Sequence, residues 1–308
     1  MLTLVSTKNM PQQEWLAHRR KAIGGSDAAA IIGLNDYSSP MMIWLDKMGK
    51  LPEKEENEAM RLGHDLEDYV ARRFTEATGK KVRKRNAIIY NDKYPFAHAN
   101  IDREIVGENA ILECKTTSAL ALKKFKNGNY PQNYYVQVMH YMAVTGAKKA
   151  YIAVLVLQKD FYWFEVDRDE DEIAALMNAE ETFWNFVQAK KEPPAIAIDL
   201  DALKEAHPNS NGITVDLFGK DAAMERYLGL KAQAKVLDTE MEAIEADLKQ
   251  TLGDNEAGKG ENYTVSWKGS PRNNFNMNAF KAMYPEINLA PFYETSVSRR
   301  FTVKKNKN

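Results

Sequence analysis

The stretch Ile111-Leu112-Glu113-Cys114-Lys115-Thr116-Thr117 constrains this chain more than any other. An apolar pair runs into an acid, a small residue and a base, and a strand turns successive side chains to opposite faces. Glu113 and Lys115 therefore share one face and Cys114 takes the other. The run Ile101-Asp102-Arg103-Glu104-Ile105-Val106 also has strand composition, with Gly107-Glu108-Asn109 between the two as turn material. A hairpin of these strands brings Asp102 beside Glu113, with Lys115 one step further along the same face. Two carboxylates and a lysine at one point suit a hard cation, because Mg²⁺ takes one or two protein carboxylates and fills its shell with waters and substrate phosphate oxygens. Such a cation acidifies its bound water and stabilises charge on a phosphate under in-line attack. Taken alone, the pattern also fits a surface hairpin with a Glu–Lys pair on its solvated side.

The 308 residues suit one large domain, or one domain with an appendage, and 44% hydrophobic content supplies a sizeable core. The net charge of −1 hides its distribution. Arg19-Arg20-Lys21, Lys80 to Arg85, Lys123-Lys124-Lys126 and Arg299-Arg300 are basic clusters, offset by acidic blocks at 53–58 and 167–172. A nucleic-acid binder can be neutral overall if one groove is basic. A single cysteine excludes an internal disulfide framework. No signal-peptide pattern opens the chain, and no apolar run approaches the ~18 residues of a membrane span. The reading is a soluble, cytoplasmic protein with no membrane partner.

In chain order, residues 1–10 read as an arm without periodicity, and Gln12 to Arg20 as a short helix with Trp15 inward and its arginines outward. Ile23-Gly24-Gly25-Ser26-Asp27 then precedes the small-residue helix Ala28 to Ile32. Ser26 and Asp27 fit an N-cap, and free N–H groups there with Arg19 nearby also fit an anion site. Ser39-Pro40 starts a helix to Met48. A long amphipathic helix, about Ala59 to Thr78, carries Leu62, Leu66, Tyr69, Val70 and Phe74 as its apolar stripe and stops at Gly79. Glu67 sits at the edge of that stripe, either as a partnered edge residue or as a metal ligand. Lys81 to Tyr90 reads as one strand. After a basic stretch, Asn133 to Thr145 reads as a helix on which Gln137 and Tyr141, four residues apart, share one face. Strands Tyr151 to Leu157 and Phe161 to Val166 and a helix through Ala189 complete an α/β core, a central mixed sheet flanked by helices. The organisation is a core at 1–194, a loop-rich connection at 195–220, and an appendage at 221–308. The appendage comprises a long charged helix, Asp221 to Leu252, and a small α+β part with strands at 262–268 and 295–304. Met224, Tyr227, Leu228, Ala232, Lys235-Val236, Met241 and Ile244 recur roughly every three or four positions of that helix, which reads as an antiparallel arm or partner-binding helix.

Ile23-Gly24-Gly25-Ser26-Asp27, Gly63-x-x-x-Glu67, Asp102, Glu113-Cys114-Lys115 and Gln137-x-x-x-Tyr141, in that order, resemble the YqaJ-type viral recombinases. These form part of the lambda-exonuclease branch of the restriction-endonuclease-like PD-(D/E)XK nuclease superfamily. The resemblance covers about residues 12–190, and the region after it also looks like the YqaJ-type C-terminal part. It implies that Asp102, Glu113 and the Cys114 backbone carbonyl hold Mg²⁺ or Mn²⁺, with Glu67 near a second metal position. It implies that Lys115 orients or helps deprotonate the attacking water, that Gln137 positions Lys115 or the DNA, and that Tyr141 packs behind. Arg19, Ser26 and Asn100 match positions that grip a 5′-terminal phosphate, with Asp27 in support. The proline usual before the first aspartate is absent, since the sequence is Asn100-Ile101-Asp102.

The implied activity is a 5′→3′ exonuclease on double-stranded DNA ends, leaving 3′ single strands for an annealing partner of the RecT/Bet type. The implied assembly is a trimeric ring. An endonuclease or nickase on the same core, or a DNA-binding recombination scaffold without catalysis, are the other readings.

Overall fold

The computed structural model of the chain describes residues 1–52, 56–294 and 298–306. They fall into two units, Met1–His207 and Pro208–Asn308. The first unit runs through β1 (Leu2–Ser6), α1 (Gln12–Arg20), β2 (Ile23–Gly24), α2 (Gly25–Ile31), α3 (Pro40–Lys47) and α4 (Glu58–Thr78). Short strands follow: β3 (Val82–Arg83), β4 (Ala87–Asn91), β5 (Ala97–Ala99) and β6 (Arg103–Ile105). Then come β7 (Ala110–Thr117), α5 (Gln132–Thr145), β8 (Lys149–Val156), β9 (Asp160–Asp167), α6 (Glu170–Gln188) and α7 (Leu200–Ala206).

β7 is the middle strand of a five-stranded sheet of order β3-β6-β7-β8-β9. Only the β7–β8 pair is parallel, and α5 supplies the crossover that a parallel pair requires. Alternation along β7 and β8 sorts two cores. Ile111, Ala150, Ile152 and Val154 pack with residues of α2, α3, α5 and α6 on one face. Leu112, Tyr151 and Ala153 pack on the other face with Val70, Ala71 and Phe74 of α4, and Cys114 lies against this second cluster. Each fully buried Leu, Ile or Phe here contributes about 1.5–3 kcal/mol of transfer free energy. The long helix keeps its expected end: Gly79 takes φ 73°, a left-handed conformation that closes α4, and Asn57 caps its start by accepting the Met60 N–H at 2.9 Å.

Several local expectations change. Residues 2–6 are no arm: β1 pairs antiparallel with β4, at the edge of a second sheet of order β1-β4-β5-β2. The single strand expected at 81–90 is two strands in different sheets, parted at Asn86, whose φ of 48° turns the chain. Tyr69 leaves the apolar stripe and is 37% exposed between the guanidinium groups of Arg72 and Arg73. Helix α2 starts at Gly25 with Gly24 as its N-cap; Ser26 and Asp27 lie in its first turn, and Asp27 Oδ2 reaches back to accept the Gly24 N–H at 3.1 Å.

Residues 195–207 belong with the first unit because Asp199 is fully buried there, accepting from Ser39 Oγ and from the Ile196 N–H. The second unit holds α8 (Asp221–Leu252), the hairpin β10 (Ala257–Lys259) with β11 (Thr264–Ser266), and α9 (Met277–Met283). Of the strand expected at 295–304, residues 295–297 lie outside the described residues and 298–304 form no strand. The first residues of the acidic block, 53–55, likewise lie outside them.

Candidate active site

β6 and β7 pair with Arg103 opposite Leu112 and Glu104 opposite Ile111, so Asp102 stands across from Glu113. The hairpin brings together the two carboxylates anticipated from alternation. Asp102 Oδ2 accepts the Cys114 N–H at 2.7 Å. Glu113, 4% exposed, points to the α5 face. Its Oε1 takes two donors at 2.7 Å, Lys115 Nζ and Gln137 Nε2, and Lys115 Nζ also donates to Gln137 Oε1 at 2.8 Å. Gln137 Nε2 reaches the Tyr141 hydroxyl as well, at 3.1 Å. The Lys115 ammonium further lies 5.2 Å from the centre of the Tyr134 ring, a cation–π contact. Glu113, Lys115, Gln137 and Tyr141 form one network, joining a pair two apart on a strand to a pair four apart on a helix.

The electrostatics are those of a site short of positive charge. Burial, then the charges of Glu113 and Glu67, hold the Asp102 carboxyl well above its ordinary range, against the Cys114 N–H. Burial works against the Lys115 ammonium, but Glu113 and Asp102 prevail and raise its pKa. The Cys114 thiol is pushed well up by burial and the neighbouring acids, so it is no thiolate nucleophile. Glu113 Oε2 is buried without a hydrogen-bond partner. A hard divalent cation would satisfy an orphaned carboxylate oxygen with a second carboxylate close enough to feel its charge. The donor set of Asp102, Glu113 and a main-chain carbonyl therefore fits Mg²⁺ or Mn²⁺. Among the described residues no cluster of three His, Cys, Asp or Glu groups converges to ligate a metal. Glu67 comes from α4, on the opposite face of the sheet, and its carboxylate is held by Arg103 with Lys84 at 3.8 Å.

A second group lies around α2. Arg19 donates to Ser26 Oγ at 3.0 Å and to Asp27 Oδ1 at 3.4 Å, stacked 5.1 Å over Trp15. Arg19 therefore turns in toward Ser26. Burial alone would raise the Asp27 carboxyl, but Lys47 and Arg19 bring it down to about 2. Lys47, its side chain fully buried, donates to Asp27 Oδ2 and to the Arg19 carbonyl, both at 2.7 Å. Asn100 is half-buried between β5 and Asp102. Tyr141 links the two groups: a Cβ on Gly25 would stand 2.4 Å from its Cε1. Gly25 is needed for this close approach, not for an unusual φ. Gly25→Ala is expected to cost about 1–3 kcal/mol by overpacking, read as a lowered thermal midpoint, with Tyr141 displaced from Gln137.

Residues 14–148 match the family described as the YqaJ-like viral recombinase domain. The uncharacterized protein YqaJ of Bacillus subtilis (strain 168) is 39% identical over 309 aligned residues, covering 98% of this chain and 97% of that protein. The chain belongs to the YqaJ family. Its fold is similar to that of LHK-Exo, an alkaline exonuclease from Laribacter hongkongensis, at TM-score 0.50 and 20% identity over 63% of this chain and 98% of that one. A structure of LHK-Exo in complex with dAMP gives TM-score 0.51 at the same identity, over 63% of this chain and 96% of that one.

Several residues of this YqaJ-family site escape sequence reasoning. Lys47 follows Trp44 by three on an otherwise apolar helix face, a charge where a hydrophobe belongs, and that offset is its one signal. Arg103 alternates with Asp102 and so faces α4, where it meets Glu67 and Asp68. His140 is fully buried on α5, its Nδ1 2.8 Å from Glu180 Oε1 and its Nε2 2.9 Å from the His98 carbonyl. Both neighbours are acceptors, so the ring donates from both nitrogens as an imidazolium. Burial opposes that charge, and Glu180 raises the His140 pKa.

Proposed function

We propose that this chain is a divalent-metal-dependent deoxyribonuclease that digests double-stranded DNA from its ends, 5′→3′, leaving 3′ single strands for strand-annealing recombination. The observation that carries the reading is the Asp102–Glu113 pair, with Glu113 buried and its Oε2 orphaned, beside the Lys115–Gln137 couple. The family and the likeness in fold to an exonuclease support it. A bound Mg²⁺ or Mn²⁺ would place Lewis-acid charge on the scissile phosphate and supply a water of lowered pKa. Asp102, Glu113 and the Cys114 carbonyl are the residues to hold it, with Glu67 toward a second position.

The protein's own part is positioning. Lys115 offers an ammonium where charge grows on the phosphate oxygens, a role for a fixed cation in a water-poor site. Gln137 accepts from Lys115 while donating to Glu113, so ammonium and carboxylate are set as one unit, and Tyr141 keeps the amide from turning. Arg19 and Ser26 grip the terminal phosphate in this reading, with Asp27 aiming Arg19 through their ion pair and Asn100 adding a contact. We assign the catalytic core to residues 1–194, the connection to 195–220, of which 195–207 pack onto that core, and the appendage to 221–308. The protein acts in the cytoplasm, as a trimeric ring threaded by DNA, beside a RecT/Bet-type annealing protein.

The test is a linear duplex labelled separately at its 5′ and 3′ ends, beside a closed circle, with Mg²⁺, with EDTA, and with Lys115→Ala. Early release of 5′ label, an intact circle and silence in both controls are expected. Cutting of the circle would establish an endonuclease, and binding without cleavage would establish a scaffold. Arg19→Ala should slow digestion of 5′-phosphorylated ends by about 10–100-fold, the worth of one charge-assisted hydrogen bond, and leave 5′-hydroxyl ends little changed. Equal losses on both ends, measured as initial rates, would remove the phosphate role.

A further inference from the structure

Helix α8 carries an apolar seam; at its start Tyr227 meets the Phe301 ring edge-on at 5.7 Å, and beyond that the seam stays exposed within its own unit. Tyr227, Leu230, Ala234, Leu237, Met241, Ile244 and Leu248 are spaced alternately three and four apart, a period of 3.5 residues over three heptads. That period is the coiled-coil repeat, not the 3.6 of a helix lying on a globular core. The seam is open: Leu237 and Met241 are each 59% exposed and Ile244 56%. A helix of 32 residues with such a stripe needs a partner helix of comparable length.

The charges beside the seam select the partner and its direction. The flanking positions hold Arg226, Lys231 and Gln233 in the first half, and Asp238, Glu240, Glu245 and Asp247 in the second. A parallel copy would set Arg226 against Lys231 and Glu240 against Glu245, each repulsive and each occurring twice. An antiparallel copy lays the basic half along the acidic half, with Lys231 facing Glu245 twice. Its like-charge contacts fall at the two-fold axis, Asp238 on Asp238 and Glu240 on Glu240, once each against the four of the parallel pair. Among the described residues Glu245 pairs with Lys249 of its own helix, in an exposed contact that contributes little. The same antiparallel register stacks Leu230 on Leu248 of the second copy, Leu237 on Met241 and Ala234 on Ile244, closing a two-fold interface.

We infer that α8 is a self-association helix, pairing antiparallel with α8 of a second copy of this chain. The inference does not depend on the nuclease reading. It is tested by light scattering on the full-length protein after gel filtration. Leu237→Glu with Ile244→Glu should halve the assembly mass, whereas Val236→Glu, exposed but off the seam, should leave it unchanged. Whether the halved species contains three chains or one reports on the trimeric ring separately. Direction is read by mixing Leu230→Cys and Leu248→Cys proteins under oxidation: a disulfide between the two should form only in the mixture. An unchanged mass on breaking the seam, a fall to one third, or a disulfide within Leu230→Cys protein alone would overturn the antiparallel pair.

Discussion

Asp102→Asn is expected to abolish Mg²⁺-dependent cleavage, by at least about 10²–10³-fold, while raising the melting temperature of the metal-free protein. The two effects share one cause. Burial, Glu113 and Glu67 hold the Asp102 carboxyl above its ordinary value of 3.8, so its charge costs the folded state free energy at neutral pH. For an acid whose folded pKa is raised, stability falls as pH climbs from 3.8 through the folded value and stays lower beyond it. An amide cannot ionise, keeps an oxygen for the Cys114 N–H, and removes that slope. Scanning calorimetry without metal should show the variant melting a few degrees higher, since ~1 kcal/mol shifts the midpoint of a unit this size by ~2–4 °C. Mg²⁺ at ~100 times its dissociation constant should add about 2.7 kcal/mol to the wild type, and nothing comparable to the variant. A variant that melts lower and still responds to Mg²⁺ would place the cation elsewhere.

Glu180→Ala should be the most destabilising single change remote from the site, at about 3–5 kcal/mol, the usual effect of leaving a buried charge alone. Glu180 has no solvent exposure and holds His140, which in turn donates to the His98 carbonyl on β5. The pair ties α6 through α5 to the strand that leads into Asn100 and Asp102. At ~2–4 °C per kcal/mol the midpoint should fall by roughly 6–20 °C. The sign with pH follows from His140, whose folded pKa is raised above 6.5 against the pull of burial. Its contribution is full below 6.5 and fades as pH rises through the folded value, so the gap between wild type and variant should narrow in alkaline buffer. Burial raises the Glu180 carboxyl despite His140. A gap that stays constant across that range would show that His140 is not the charged member.

The sequence by itself determined the parts of this protein that depend on near neighbours. Alternation in Ile111 to Thr117 put Glu113 and Lys115 on one face and Cys114 on the other, and the short turn at 107–109 put Asp102 across from Glu113. Helical spacing paired Gln137 with Tyr141, and Gly79 and Gly146 ended their helices because glycine takes the left-handed conformation without steric cost. Only the tertiary structure decided how these charges are held. Lys47 meets Asp27 across 20 residues, Arg103 meets Glu67 across 36, and His140 meets Glu180 across 40. A buried charge needs a partner, but no local periodicity says which distant one, because the pairing is set when helices and sheet close on one another. The same holds for residues 2–6, whose strand exists through β4, and for residues 81–90, which divide because their two halves find edges in different sheets.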